Sequence, residues 1–245
     1  MYCLQKKSFE LGNFINCTPT LRSLFERKGK PFPVYFENEY LKQGYENCGF
    51  IKILDEPEGQ VLFGSNDIND KIPDWKYCYE KVNRITRLNP IIPHTYIDKV
   101  DLMHRRPKFD YCAVIRGCLT DQPNKVIKKD PGDEIYIKII TGLLKFSEVI
   151  FVGTEIDRKR SEKLFNHFGL HLHTYNTCLS DALGLINHSK YVVGNDTGLM
   201  HVAGAYQKRA FCMWKDTIFE KNRTPSAQIT YSFDWEKDFK KWILL

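Results

Sequence analysis

The chain has 245 residues, of which 42% are hydrophobic and 27% charged, and its formal net charge is +6. This composition is that of a soluble globular protein of one or two domains and excludes wholesale disorder, collagen and a disulfide-dense miniprotein. The apolar runs are strand-sized, far short of the ~20 residues of a membrane-spanning helix. The first residues lack the pattern of a signal peptide, so we expect a cytoplasmic protein. The basic balance suits a phosphate-bearing partner.

The first half of the chain, up to about Lys108, has the pattern of a short α/β layer. Apolar spacing predicts a helix over residues 13–27. Three strand-like runs follow, at residues 34–36, 50–54 and 61–63. Irregular stretches rich in Pro, Asn and Asp occupy much of the remainder, and Arg105-Arg106-Pro107 is the candidate linker.

The second half alternates regularly between strands and helices. Short apolar runs predict strands at residues 111–115, 148–152, 171–175, 191–193 and 210–214. Helical spacing predicts helices at residues 133–144, 157–168 and 179–188, and from about residue 198. This alternation indicates β-α-β units and a parallel sheet. We therefore predict two α/β domains, residues 1–108 and 109–245, facing a central cleft, with ligands beyond the carboxyl ends of the strands.

The segment from Val193 to Ala205 carries the sharpest functional signal. A buried strand runs into a turn and then a helix, with Asp196 and Thr197 as N-cap residues and Gly198 leaving the backbone open to a ligand. Unpaired N–H groups and the helix dipole make such a start an anion site. His201 lies one turn further along and could point at the same place. A well-capped helix with a surface histidine is the alternative, and the residues alone favour neither.

This segment resembles the signature G-N-D-S/T-G-x-x-H-L/V-A-A-A of glycosyltransferase family 9, the heptosyltransferase-like enzymes, with Gly204 in place of an alanine. Other pieces are similar to the family in the same order. They are residues 11–22 (the N-terminal turn and helix), 128–131 (the K-x-W-P stretch, without its Trp), 151–157 (a strand, a Gly-rich turn and an acidic residue) and 214–217 with Pro225 (the final strand and loop). The resemblance thus extends from Leu11 to Pro225.

The resemblance implies a GT-B fold, in which two Rossmann-like domains face each other across a cleft. It implies transfer of a hexose, heptose or pentose from a nucleotide-diphosphate sugar to an acceptor hydroxyl, without a cofactor or an obligatory metal. The C-terminal domain would hold the donor, and the last helix would return to the N-terminal domain. Helix N-terminal amides and a cation would stabilise the charge that develops on the leaving diphosphate.

The resemblance also assigns the phosphate contacts. Thr197, Gly198 and His201 would contact the diphosphate, while Asp196 would cap and order the turn. Lys128 would be the cation at the diphosphate. The alternative for Lys128 is a solvated basic face formed with its lysine neighbours.

Four further residues are candidates for donor binding. Glu155 or Asp157, at the turn after a strand, could accept hydrogen bonds from ribose hydroxyls. The alternative for both is an acidic helix start, which the helix dipole alone favours. Thr120, after the first strand of the C-terminal domain, and Gly12, in the N-terminal turn, complete the set.

The acceptor half departs from the family at one catalytic position. Heptosyltransferases that resemble this chain place an Asp general base after the Gly of the N-terminal turn, where this chain has Asn13. An amide does not take up a proton at neutral pH, so we expect Asn13 to orient the acceptor. Asp67 and Glu10, near predicted strand ends, are the candidate bases.

The identity of the acceptor stays open between alternatives. The aromatic and charged tail, residues 235–244, suits a helix lying on a membrane beside a lipopolysaccharide-type acceptor, or more often a last helix that packs back across the other domain. The basic balance suits a phage-type DNA glycosyltransferase that acts on hydroxymethylated or already glycosylated bases after base flipping. The arginines concerned are Arg84, Arg87, Arg105 and Arg106. With Asn13 in place of Asp, a non-catalytic nucleotide-sugar-binding module is a further hypothesis.

Overall fold

The computed structural model describes residues 2–6, 11–58, 60–61, 95–102, 107–117, 129–169, 172–176, 178–214, 226 and 228–244. These residues form two compact units. The first contains the described residues up to Asp98 together with Ser226, and the second contains the others, from Lys99 onward. The chain therefore passes between the units before the predicted boundary at residue 108. Of the helices described, none has the length and apolarity that crossing a membrane requires.

The first unit is built on a parallel four-stranded sheet of order β3-β2-β1-β4. Its strands are β1 (Tyr2–Lys6), β2 (Phe32–Phe36), β3 (Ile51–Leu54) and β4 (Gln60–Val61), and its helices are α1 (Leu11–Lys28) and α2 (Glu39–Lys42). The three predicted strands correspond to β2, β3 and β4, and the predicted helix to α1. Strand β1 is an addition to the prediction.

Helix α1 is buried over most of its length although it contains Pro19. A proline lacks the N–H that would bind the carbonyl of Ile15, four residues earlier. The hydroxyl of Thr18 donates to that carbonyl instead, at 2.6 Å, and it accepts a hydrogen bond from the backbone N of Tyr96 at 2.8 Å. The helix therefore continues through the proline without leaving a buried carbonyl unpaired.

The second unit is a parallel six-stranded sheet of order β10-β9-β8-β5-β6-β7. The strands are β5 (Tyr111–Ile115), β6 (Glu148–Gly153), β7 (Leu172–Asn176), β8 (Tyr191–Asn195), β9 (Ala210–Met213) and β10 (Ile229–Ser232). The helices are α3 (Asp133–Leu143), α4 (Glu155–Arg160), α5 (Glu162–Phe168), α6 (Leu179–His188), α7 (Gly198–Ala205) and α8 (Trp235–Leu244). Counted within the unit, the strand order is 3-2-1-4-5-6, that of a doubly wound nucleotide-binding sheet.

The predicted elements of this half are confirmed, with two differences. Strand β10 is additional, pairing in parallel with β9. The helix predicted over residues 157–168 is instead two helices, α4 and α5, which meet at Ser161. Ser161 has φ −97° and ψ 9°, outside the helical range, and its carbonyl accepts from the backbone N of Leu164 at 2.8 Å, which starts the second helix. Serine is a residue that favours caps over helix interiors.

The last helix packs on the core of the second unit itself. Phe239 and Trp242 of α8 are buried, with ring centroids 5.5 and 5.6 Å from that of Phe211 in β9. The apolar face of α8 closes the core around α3 and β9. The expected return of α8 to the N-terminal domain concerns the arrangement of the two units and stays a prediction. The opposite face is charged, with Glu236 paired to Lys138 of α3 at 3.1 Å. The two buried aromatic side chains are therefore not exposed to a membrane surface.

Candidate functional site

The predicted phosphate contacts lie where the chain reverses direction across the second sheet. From β5 the chain builds β6 and β7 on one side, and it then returns to place β8 on the other side of β5. Arg116 and Gly117 follow β5, and Asp196, Thr197 and Gly198 follow β8 at the start of α7. We call this place the switch point. In open α/β sheets ligands bind at such a point, outside the carboxyl ends of the strands.

Asn195, the last residue of β8, ties the two strand ends together. Its Oδ1 accepts from the backbone N of Gly117 at 3.2 Å, and its Nδ2 donates to the carbonyls of Gly117 at 2.9 Å and Lys129 at 3.2 Å. The hydroxyl of Tyr136 lies 3.2 Å from the same Oδ1. Asn195 is buried, so each of these bonds replaces one to water. Asn195 stood within the family signature, but its sequence neighbours indicated no role for it.

Lys129 places a positive charge at the start of α7. Its Nζ lies 2.7 Å from Oδ2 of Asp196, and Nε2 of His201 lies 3.7 Å from Oδ1 of the same carboxylate. The N-cap position belongs to Thr197 rather than to Asp196, because the Asp196 side chain is turned toward Lys129. The sequence motif indicates the neighbouring Lys128, which lies outside the described residues, and gives Lys129 no role of its own. The sequence signal for a cation here was the pair of adjacent lysines, Lys128 and Lys129.

His201 is uncharged at neutral pH. Burial lowers the pKa of His201 to about 4; the neighbouring Lys129 lowers it further, and Asp196 opposes both. A neutral imidazole has one N–H donor and one acceptor nitrogen. His201 can therefore donate a hydrogen bond at this site without adding charge, and Lys129 supplies the positive side-chain charge beside it.

The start of α7 has buried polar groups that await a partner. The hydroxyl of Thr197 is buried and finds no hydrogen-bond partner among the described residues, and it makes no cap bond to the helix. The first backbone N–H groups of a helix, here those of Gly198 and Leu199, have no partner within the helix. A hydroxyl and amides at the positive end of a helix are the groups that bind phosphate.

Arg116 forms a second charged cluster at the end of β5. Its Nη2 lies 2.8 Å from Asp130, its Nη1 lies 2.5 Å from Asp133, and its guanidinium stands 5.1 Å from the centre of the Tyr136 ring. Arg116 is only 8% exposed. Sequence reasoning gave it no role, although a charged residue directly after a buried strand is a signal in this type of sheet.

Asp157 also reaches the end of β5. Its Oδ2 accepts from the backbone N and the hydroxyl of Thr154, at 3.0 and 2.9 Å, which is the acidic helix start expected as the alternative. Its Oδ1 is buried and finds no partner within the described parts of the chain. A Cβ atom on Gly117 would lie 3.1 Å from that Oδ1, and one on Gly153 would lie 3.0 Å from Oδ2. Two glycines thus leave room for this carboxylate beside the switch point.

The remaining predicted residues lie elsewhere. The Glu155 carboxylate pairs with Arg158 at 2.8 Å on the surface, and that hydrogen bond lowers the pKa of Glu155. Gly12 and Asn13 belong to the first unit, in the first turn of α1, where the carbonyl of Asn13 accepts from the thiol of Cys17 at 3.2 Å. Four predicted residues fall outside the described part of the chain: Glu10, Asp67, Thr120 and Lys128.

Comparison with known proteins bears on both halves of the chain. Residues 132–238, from the start of α3 into α8, match the model of glycosyltransferase family 9 (heptosyltransferase). No curated protein matches the sequence.

Three solved structures are similar to the whole chain. The glycosyl transferase family 9 protein from Veillonella parvula DSM 2008 has a TM-score of 0.72 at 12% identity, with 98% of this chain and 88% of that chain covered. The E. coli heptosyltransferase WaaC with ADP has a TM-score of 0.72 at 12% identity, with 100% and 99% covered. The E. coli ADP-heptose lps heptosyltransferase II has a TM-score of 0.77 at 13% identity, with 100% and 98% covered.

These matches confirm the resemblance that the sequence motifs indicated. The family model covers the switch-point turn after β8, and the structural similarity extends the GT-B fold over both units. Neither a DNA-modifying enzyme nor a non-catalytic module gains support from them. The chain has the GT-B fold, and its residues 132–238 are similar in sequence to the heptosyltransferases of glycosyltransferase family 9.

Proposed function

We propose that this protein is a glycosyltransferase, and that it takes its sugar from a nucleotide-diphosphate donor whose diphosphate binds at the start of α7. The observation that carries the proposal is the buried hydroxyl of Thr197, which finds no partner among the described residues, next in the chain to Asp196, whose carboxylate contacts the Lys129 ammonium. The unpaired amides of Gly198 and Leu199 stand at the same helix start. Together these groups suit two or more phosphate oxygens and no apolar ligand.

The same groups suit the chemistry of transfer. As the glycosidic bond breaks, the leaving nucleoside diphosphate gains negative charge, and donors that already point at that charge lower the barrier. Lys129 supplies the cation, the start of α7 supplies amides and the dipole, and neutral His201 supplies an N–H. The carboxylate of Asp196 would repel a diphosphate, and its contact with Lys129 at 2.7 Å offsets that repulsion.

Asp157 would bind the nucleoside part of the donor. Its unpartnered Oδ1 can accept a hydrogen bond from a ribose hydroxyl, as acidic residues do in other doubly wound sheets. Glu155 is less suited because Arg158 occupies both of its oxygens. Two of the structural relatives are described with ADP or ADP-heptose, so an ADP-linked heptose is the first donor to test.

The acceptor in this proposal is a sugar hydroxyl. Because one structural relative is named an ADP-heptose lps heptosyltransferase, lipopolysaccharide is the first acceptor to test. Asn13 would orient the acceptor from the first turn of α1, and Asp67 or Glu10 would take its proton. Within the described residues, no group of His, Cys, Asp and Glu side chains is placed to hold a metal ion.

The test is turnover with a panel of ADP-, UDP- and GDP-sugars, with and without a lipopolysaccharide-core acceptor, measured as release of nucleoside diphosphate and as product mass. We expect acceptor-dependent release from an ADP-sugar. Lys129→Met should lower kcat about 10²-fold, the scale for losing one group that stabilises transition-state charge. Lys138→Gln, a surface lysine paired with Glu236, is the matched control and should leave turnover unchanged. Binding without release across the panel, or full activity in Lys129→Met, would refute the proposal.

A further inference from the structure

Arg116 is a buried cation at the switch point that the donor site described above does not use. We propose that Arg116 is a positioning residue for donor binding: it clamps Asp130 and Asp133 and thereby holds Lys129 at the start of α7. The inference rests on the proposed function, because Lys129 acts there as the cation for the diphosphate. It adds a residue that neither the family signature nor the motif spacing indicates.

Each of the three guanidinium nitrogens of Arg116 contacts a carboxylate of the protein. Nε lies 3.2 Å from each oxygen of Asp130, Nη2 lies 2.8 Å from one of them, and Nη1 lies 2.5 Å from Asp133. Its flat face stands over the ring of Tyr136. Asp130 and Asp133 share this one guanidinium. Among the described residues, the only other cation that contacts either carboxylate is the exposed Lys163, whose Nζ lies 3.7 Å from Asp133. The cluster therefore offers a phosphate no surplus positive charge.

The clamp acts on Lys129 because Asp130 is the next residue along the chain. Oδ1 of Asp130 accepts from the backbone N of Gly132 at 3.1 Å, which fixes the turn before α3. The carbonyl of Lys129 is held by Asn195 at 3.2 Å, and its ammonium contacts Asp196. Without the guanidinium, the carboxylates of Asp130 and Asp133 would lie close together and repel each other. The turn would then relax and carry Lys129 away from the start of α7.

A direct role for Arg116 makes the opposite prediction. If the Arg116 guanidinium instead moved onto the phosphate, replacing the Asp130 carboxylate with a neutral group would release the guanidinium and strengthen nucleotide binding. A lysine at position 116 would also keep much of a direct phosphate contact, since a point charge suffices for one. A clamp across two carboxylates needs the planar fork of arginine, so lysine should not replace it.

The experiment measures the ADP dissociation constant of the intact protein by calorimetry, with thermal unfolding as the check on folding. We expect Arg116→Gln to weaken ADP binding about tenfold, the scale of one lost charge-assisted contact. Arg116→Lys should not restore it, and Asp130→Asn should also weaken it. If Arg116 acts through Lys129, the double variant Arg116→Gln/Lys129→Met should bind no more weakly than Lys129→Met alone, to within about twofold. Lys138→Gln, on the same helix α3, serves as the control and should bind as wild type.

Three results would overturn the inference: wild-type affinity in Arg116→Lys, tighter binding in Asp130→Asn, or effects of Arg116→Gln and Lys129→Met that multiply. If Arg116→Gln does not fold, Arg116→Lys and Asp130→Asn decide the matter by themselves. Failure of the wild-type protein to bind ADP would overturn the proposed function along with this inference. Wild-type binding with unaffected variants would overturn only the role of Arg116.

Discussion

Replacing Asn195 with aspartate tests how the end of β8 is held against the end of β5. The two side chains have the same shape, but an ionised carboxylate only accepts hydrogen bonds. Asn195→Asp keeps the acceptor for the backbone N of Gly117. It loses both donated bonds, to the carbonyls of Gly117 and Lys129, and sets a negative oxygen against two carbonyl oxygens.

The size of the effect follows from these contacts. Each buried carbonyl left without its donor costs about 1–3 kcal/mol. Two such losses, with the burial of a charge in addition, predict that the free energy of unfolding falls by about 3–6 kcal/mol at pH 7. That is a large part of the ~5–15 kcal/mol by which a native protein is stable. The variant should also bind ADP poorly, because the Lys129 carbonyl loses its anchor.

The effect should depend on pH with a definite sign. Burial and the two neighbouring carbonyl oxygens would both raise the pKa of the introduced aspartate side chain in the folded state. The destabilisation should therefore be full above that raised pKa and should shrink as the pH falls through it, because a protonated carboxyl can donate one bond again.

The assay is urea unfolding of Asn195→Asp and of Asn187→Asp between pH 5 and 8. Asn187 is the matched control, since its Nδ2 donates one bond, to the carbonyl of Val100 at 3.2 Å, on helix α6 of the same unit. We expect a loss of about 1 kcal/mol for the control. Equal losses in the two variants, or a loss in Asn195→Asp that does not change with pH, would refute the reasoning.

Two further predictions concern His201 and the last helix. The shift of the His201 pKa from 6.5 to about 4 corresponds to about 3 kcal/mol. As the pH falls, the imidazole is protonated in the unfolded chain before it is protonated in the folded protein, so the unfolding free energy should fall between pH 6.5 and 4. His201→Gln should remove that pH dependence in urea unfolding. Equal slopes of unfolding free energy against pH in the two proteins would contradict the prediction. Trp242→Ala should cost about 3–5 kcal/mol in chemical unfolding, because Trp242 is buried in the core, whereas Leu244→Ala, 80% exposed on the same helix, should cost under about 0.5. Similar losses for the two α8 variants would count against the packing of this helix.

Strands β5, β6, β8 and β9 were predictable because they are mostly apolar runs whose residues are nearly all buried, as in central parallel strands. Strand β10 could not be predicted from the sequence because Ile229–Ser232 is short and half polar. It is held by its pairing with β9, which no local sequence pattern reports. The break in the helix at Ser161 also escaped the spacing argument. The predicted apolar face, Leu164, Phe165 and Phe168, lies entirely in α5, and the interruption is a single buried serine that no apolar spacing reports.

The residues of the candidate site also divide into those that a local sequence pattern indicated and those that it did not. Thr197, Gly198 and His201 could be proposed from the sequence because they lie within five residues of one another in one strand-turn-helix signature. Asn195 and Lys129 have partners distant in sequence, and the carboxylate partners of Arg116 lie 14 and 17 positions away. Asn195 and Gly117 are separated by 78 positions, and Lys129 and Asp196 by 67. Only the pairing of β5 with β8 brings these groups together, and one sequence does not display that pairing.

The most direct measurement of the central claim is calorimetric titration of ADP into the wild-type protein and into Gly198→Val. Gly198 stands in the first turn of α7, where a phosphate must approach the backbone. We predict that the wild-type protein binds ADP and that Gly198→Val loses this binding while its thermal unfolding stays that of a folded protein. Equal affinity in the two proteins would contradict the account and place the diphosphate elsewhere.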